Sequence, residues 1–159
     1  MEDIYEILKG LGVVYKKYEH PPVYTCEEAE KHHKDPEAGR CKNLFLRNKK
    51  GDKHYLIVIR ADKKVDIENL TQLLLEDKLG FASNERLMKY LNLTTGAVSP
   101  FGLINDINKE VLVVIDSGLL DYKKLTFHPN INTVSLVIST SDFKKFLDWC
   151  GNSYRFIKI

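Results

Sequence analysis

Residues 43–59, NLFLRNKKGDKHYLIVI, set two apolar runs, Leu44–Leu46 and Tyr55–Ile59, on either side of a charged turn that contains Gly51. Two strand-length apolar segments around a glycine-bearing polar turn predict a β-hairpin. The residues just before it, Arg40, Cys41, Lys42 and Asn43, place a lysine and an asparagine at the mouth of a strand that must enter the core. Lysine is rarely buried without a partner. Read alone, Lys42 is a side chain whose stem lies on apolar surface while its ammonium stays wet. The functional alternative is a fixed cation beside a pocket, holding a phosphate or a developing anion, with Asn43 as a neutral donor and acceptor.

Outward from the hairpin, Ile4, Ile7, Leu8 and Leu11 recur at helical spacing before Gly10 and Gly12. VVYKKYEHPPVYT is extended, because Pro21 and Pro22 forbid helix. Thr25 and Glu28 match a capping box ahead of a short helix. Asp66 caps a helix with Ile67, Leu70, Leu73 and Leu74 inward and Gly80 as its stop; Ser83 or Asn84 caps another built on Leu87, Met88 and Leu91. EVLVVIDSGLL, KLTFHP and NTVSLVIS are predicted strands, and Phe143, Phe146, Leu147 and Cys150 line a last helix ending at Gly151. Helices and strands interleave irregularly, with no repeat or linker. The expectation is an α+β fold in a single domain over residues 1–159.

The bulk numbers agree. A chain of 159 residues with a 43% hydrophobic fraction supports a real core, and a domain of this size buries roughly 70% of its unfolded surface. The net charge of +2 leaves room only for a local basic patch. Lys49, Lys50 and Lys53, Lys63 and Lys64, and Lys123 and Lys124 cluster, a pattern typical of turns and solvated faces. Cys26, Cys41 and Cys150 show no CxxC and no metal-ligand spacing, so neither a disulfide framework nor a metal site is expected. No apolar stretch is long enough to span a bilayer, and the acidic start is unlike a signal peptide. A soluble cytoplasmic protein is expected.

Several residues invite chemistry. Cys41 between Arg40 and Lys42 could be a thiolate, although a small buried cysteine is the commoner case. The loop Gly96-Ala97-Val98-Ser99-Pro100 is either a structural turn or a stiff wall whose glycine lets backbone approach a ligand. His128, between a strand and Pro129, reads as a packed and oriented ring, whereas His32 and His33 read as surface residues of a short polar helix. Ser99 lacks a GxSxG elbow, so nothing supports a hydrolase triad.

HPPVYTCEEAE (20–30), CKNLFLRNKKGDKHYLIVI (41–59), FASNERLMKYLNLTTGAVSPFGLIND (81–106) and FHPNINTVSLVISTSDFKKFLDWCG (127–151), in this order, resemble the YbaK/ProX family of aminoacyl-tRNA deacylases. The resemblance is to its free-standing alanyl-tRNA(Pro) editing branch, also known as PrdX-type prolyl-tRNA deacylases. It implies a mixed-sheet partial barrel flanked by helices, and hydrolysis of the ester joining a wrong amino acid to tRNA(Pro). The family's essential lysine then falls on Lys42, followed by Asn43. Its pocket loop falls on Gly96 to Pro100, and its late motif on His128 and Asn132. Catalytic roles are expected for Lys42, Asn43 and Gly96, and substrate contacts for Ala97, Val98, Ser99, Pro100, His128 and Asn132. Arg40 departs from the histidine more usual there. The implied partner is the tRNA(Pro) acceptor end, with prolyl-tRNA synthetase as a second candidate; no cofactor, metal, membrane or DNA is expected. Cysteinyl-tRNA(Pro), or a non-catalytic binding module, are the alternatives.

Overall fold

The computed structural model describes residues 3–33 and 35–159. The predicted hairpin is its spine. β2 (Ala38–Asn48) and β3 (His54–Arg60) pair antiparallel from Cys41↔Arg60 to Arg47↔His54. Gly51 closes the turn at φ +73°, a conformation that favours glycine.

Around this pair the sheet grows both ways. On one side, β2 meets β6 (Lys124–Phe127) in parallel, β6 meets β7 (Val134–Ser139), and β7 meets β1 (Tyr15–Glu19). On the other, β3 runs parallel to β5 (Val111–Asp116), which runs parallel to β8 (Tyr154–Ile157). A short β4 (Leu79–Phe81) pairs with the far end of β2. The result is an eight-stranded mixed sheet that does not close, the expected partial barrel.

Strand alternation gives the sheet two covered faces. Phe45, Leu56, Val58, Val113, Leu125, Phe127, Leu136 and Ile138 point into the larger core, with α1 (Ile4–Gly10), α4 (Asn84–Leu91) and α5 (Thr140–Cys150). Leu46, Tyr55, Ile57 and Val114 point the other way, under α3 (Ile67–Leu73). β3 is covered on both faces, which is why it reads as an unbroken apolar run rather than an alternating one.

Three sequence expectations change, and the choice between two caps is decided. α3 ends at Leu73 rather than at Gly80, because Leu75 itself takes the left-handed conformation (φ +56°) and Gly80 lies in β4. Ser83, not Asn84, caps α4, its Oγ accepting from Arg86 N–H at 3.2 Å. Met88 is 47% exposed, since the buried stripe of α4 is Leu87 and Leu91. β4 and β8 were not expected. The capping box of α2 (Cys26–Lys31) forms: Thr25 Oγ1 accepts from Glu28 N–H at 3.1 Å, and the Glu28 carboxylate accepts from Tyr24 N–H at 3.0 Å.

Candidate active site

β2 changes partners along its length, and the site lies at the change. Its first residues pair with β6 only from Ala38 to Arg40, and β4 joins the same edge only from Leu46 to Asn48. The Arg40 carbonyl accepts from Ala61 N–H, beyond β3, and the Phe45 carbonyl accepts from Ala82 N–H, beyond β4. Main-chain groups alternate sides along a strand. The N–H and C=O of Asn43 therefore turn toward the side that β6 has left. There a cavity of about 250 Å³ opens under α2.

Its walls come from both faces of the split. Arg40 and Lys42 share a strand face with Thr126, and Tyr18 sits across from Ser135. Asn43, Gly96, Val98 and His128 complete the enclosure, with Tyr24, His32 and His33 above. Buried polar atoms are ordinarily hydrogen-bonded. Here Asn43 Oδ1 and Thr126 Oγ1, both buried in residues lining one cavity, have no partner among the described residues.

Lys42 is half-buried, and its Nζ donates to the Lys63 carbonyl at 2.6 Å. Lys63 is itself held: its Nζ reaches Asp116 Oδ2 at 2.7 Å and the Ile159 carbonyl at 3.0 Å. Asp116 is fully buried, which alone would raise its pKa. Hydrogen bonds from Lys63, Gly118 N–H and Arg60 N–H outweigh that and keep its carboxyl below the ordinary value. The lysine is thus seated on a rigid platform.

Cys41, half-buried on the cavity wall, does not favour the thiolate. Burial, reinforced by the negative Asp116, pushes its thiol pKa far up despite Arg40. Cys150 is buried, with its thiol pushed up to about 12 by burial. The side chain of Cys26 lies outside the described residues.

The histidines are more involved than their sequence context suggests. His128 Nδ1 lies 2.8 Å from the Val134 carbonyl; a carbonyl only accepts, so Nδ1 carries the proton and Nε2 is left as an acceptor. Burial lowers the pKa of His128, the bond to Val134 opposing and His20 assisting. His20 Nδ1 donates to the Pro21 carbonyl at 2.9 Å, so its Nε2 receives the Ser135 hydroxyl at 2.8 Å. Its ring stacks on His32 and meets His128 edge-on, each at 5.8 Å. His32 and His33, just past the end of α2, are half-buried on the cavity wall, contrary to their reading as surface residues: His32 stacks on His20, and His33 Nε2 lies 3.2 Å from the Ala38 carbonyl. Sequence reasoning missed His20 and Ser135; the only signals were the quoted segments 20–30 and 127–151 that contain them.

The loop expected to be a wall contributes only alternate residues. Gly96 and Val98 line the cavity, whereas Ala97 is 5% exposed and turned away, Ser99 is fully buried, and Pro100 packs at the start of the next turn. Ser99 Oγ accepts from Phe101 N–H at 3.2 Å, so it caps that turn. These corrections follow from the short 3₁₀ turns at Thr95–Ala97 and Pro100–Asn105, which rotate successive side chains. Asn132 is also off the wall. Its Nδ2 donates to the Val23 carbonyl at 3.2 Å and Val23 N–H donates to the Asn132 carbonyl at 3.3 Å, fastening the segment that carries Tyr24. A Cβ on Gly96 would stand 3.3 Å from both Asn132 Nδ2 and the Tyr24 ring, so this glycine keeps the cavity open.

The aminoacyl-tRNA editing domain profile matches residues 20–146, which hold every residue of this cavity but Tyr18. The chain belongs to that family. It is 44% identical over 152 residues to the prolyl-tRNA editing protein ProX of Acetoanaerobium sticklandii, covering 96% of this chain and 93% of that one. It is 30% identical over 149 residues to the prolyl-tRNA synthetase associated domain-containing protein 1 of Bos taurus, covering 91% and 86%. A crystal structure of a protein described only as hypothetical superimposes with a TM-score of 0.74 at 21% identity, covering 96% of this chain and 97% of that chain, a likeness of fold. Among the described residues no helix is long and apolar enough to cross a membrane.

Proposed function

We propose that the protein hydrolyses the ester of mischarged tRNA(Pro), with alanyl-tRNA(Pro) as substrate. The observation that carries this reading is the pair of partnerless buried acceptors, Asn43 Oδ1 and Thr126 Oγ1, in a cavity bordered by cations. The resemblance to an editing protein supplies the substrate class. An aminoacyl ester at an RNA terminus offers what this cavity lacks: an ammonium and hydroxyls for the acceptors, and a phosphate for the cations.

In this reading Lys42 leaves the Lys63 carbonyl for the terminal phosphate and fixes the ester in place. Positioning of this kind accounts for many kcal/mol of barrier, and small misplacements are costly. Water attacks the ester carbonyl carbon, oriented by the Asn43 side chain and by His128 Nε2, with the substrate's neighbouring ribose hydroxyl assisting. Backbone N–H groups near Gly96 and Asn43 stabilise the developing oxyanion. The C–O bond to the ribose then breaks, and the ribose oxygen takes up the proton. The products are the free amino acid, which loses its carboxyl proton to solvent, and intact tRNA with its ribose hydroxyl restored.

Selectivity is steric. A synthetase site gains only about 1–3 kcal/mol per methylene against a smaller amino acid. A second site, closed by Gly96, Val98 and Tyr24 to the prolyl ring, excludes the correct product. Prolyl-tRNA synthetase is the natural donor of that product and a candidate partner. The test is a deacylation panel of alanyl-, cysteinyl- and prolyl-tRNA(Pro). Fast hydrolysis of the alanyl ester with prolyl spared supports the reading; preference for cysteinyl moves the substrate within the class; hydrolysis of none rejects the enzyme.

A further inference from the structure

At the far end of β2 the structure carries a second concentration of charge that the cavity does not use. Segments 47–53 and 84–90 contribute Arg47, Lys49, Lys50, Lys53, Arg86 and Lys89 against only Asp52 and Glu85. This local excess is larger than the net +2 of the whole chain. Among the described residues none of the six cations takes part in an ion pair, whereas Lys17, Arg40, Arg60, Lys63, Lys124 and Lys145 all do.

Two of the six are brought together by a rigid frame. The Asn48 side chain ties the turn, its Oδ1 accepting from Asp52 N–H and Lys53 N–H at 3.1 Å and its Nδ2 donating to Asp52 Oδ1 at 2.7 Å. Arg86 Nη1 donates to the Gly51 carbonyl at 3.0 Å and to His54 Nε2 at 2.9 Å. His54 is buried against the rings of Phe45 and Tyr90, so the guanidinium is anchored to the core. A Cβ on Gly51 would stand 2.9 Å from Arg86 Nη2 and 3.2 Å from Arg47 Nη1. Both forks therefore converge on the space that the glycine leaves empty. A cleft of about 360 Å³ beside them is lined by Ser83, Glu85, Lys89 and Tyr90.

Like charges held this close repel unless an anion lies between them. Two guanidinium forks present the donor geometry that phosphate accepts bidentately. We propose that Arg47, Arg86 and Lys89 form a second, non-catalytic site that binds a phosphodiester of the RNA backbone. Arg47 is four residues along β2 from Asn43, about 13 Å at the rise of a strand. That separation puts the site within reach of the backbone of an RNA whose terminus occupies the cavity. The choice of RNA as the phosphate source rests on the proposed function; the anion site rests on the convergence of the arginines.

The test is binding of uncharged tRNA(Pro) over a range of potassium chloride concentrations, for wild type, Arg86→Gln and the double variant Arg47→Gln, Lys89→Gln. The double variant leaves every hydrogen bond of Arg86 intact, so it guards against loss of folding. Each lost phosphate contact should lower the slope of log K against log salt by about 0.7–0.9, with affinity at low salt falling roughly five- to thirty-fold for one or two contacts. Hydrolysis of alanyl-adenosine, too short to reach the arginines, should be unchanged. A merely structural Arg86 would lower the melting temperature and leave the slope alone, overturning the proposal. Unchanged slopes in the double variant overturn it as well, whether or not the wild type deacylates anything. Stronger sedimentation with phosphatidylserine vesicles than binding to tRNA would overturn RNA as the ligand. Failure of the wild type to hydrolyse any ester, with the slopes still differing, would sink the proposed function and leave this site standing.

Discussion

Asp116 and Asn43 are both polar side chains set into the sheet, and they are treated in opposite ways. Asp116 is fully buried and receives Lys63 Nζ, Gly118 N–H and Arg60 N–H. Asn43, on the neighbouring stretch of sheet, buries an acceptor that receives nothing among the described residues. A buried polar atom left without a partner costs about 1–3 kcal/mol. Asn130 Oδ1 and Asn152 Oδ1 are also without a partner among the described residues, but of these atoms only those of Asn43 and Thr126 belong to residues that line the cavity. Lys42 links Asn43 to Asp116, since its ammonium rests on the carbonyl of Lys63, the residue that neutralises Asp116.

The contrast predicts different kinds of damage. The largest is to the fold: Asp116→Ala leaves the Lys63 ammonium with only the Ile159 carbonyl and two N–H groups without an acceptor, and removing one member of a buried pair costs about 3–5 kcal/mol. Urea denaturation should show that loss as a lower midpoint. Next, Asn43→Ala removes an acceptor that the fold never satisfied, so stability should change by less than about 1 kcal/mol. Deacylation by this variant should fall at least tenfold. A large loss of stability instead would place Asn43 with Asp116 among the structural groups. Smaller still, Gly96→Ala meets only side-chain tips at 3.3 Å and should fold normally. Its alanyl-tRNA(Pro) rate should drop several-fold while a still smaller glycyl ester is spared.

Acid sharpens the same comparison away from Asp116 and Asn43. Burial, with Arg86 beside it, lowers the His54 pKa from 6.5 to about 4. Above pH 6.5 the ring is neutral in both folded and unfolded chains and contributes nothing to pH dependence. As pH falls from 6.5 toward 4, the unfolded chain takes up a proton that the folded chain refuses, and stability declines. Chemical denaturation at successive pH values should show this slope, and His54→Gln should flatten it.

Much of this was legible in the chain itself. The β2–β3 hairpin, the Thr25 and Asp66 caps and the Gly151 stop depend on short-range chemistry that neighbouring residues declare. The family resemblance likewise pointed at Lys42, Asn43, Gly96, Val98 and His128, which the fold brings to one cavity. What escaped was set by contacts distant in sequence. β4 and β8 have three and four residues, too few for a period to register. Leu75 takes a left-handed turn that its side chain gives no reason to expect. His32 and His33 look exposed from the sequence around them, and only the stacking of His32 on His20 and the cavity wall they share reveal otherwise. Ala97, Ser99 and Pro100 looked equivalent to Gly96 and Val98 until the turns rotated them inward.

The most direct measurement is single-turnover hydrolysis of alanyl-tRNA(Pro) by wild type and Lys42→Ala, with thermal melting of both proteins alongside. Lys42 donates one hydrogen bond to a main-chain carbonyl, so its loss should leave melting nearly unchanged. The rate constant should fall at least a hundredfold, about 2.7 kcal/mol of barrier. A Lys42→Ala protein that melts like the wild type and hydrolyses the ester at the same rate would contradict the assignment of the reaction to this cavity.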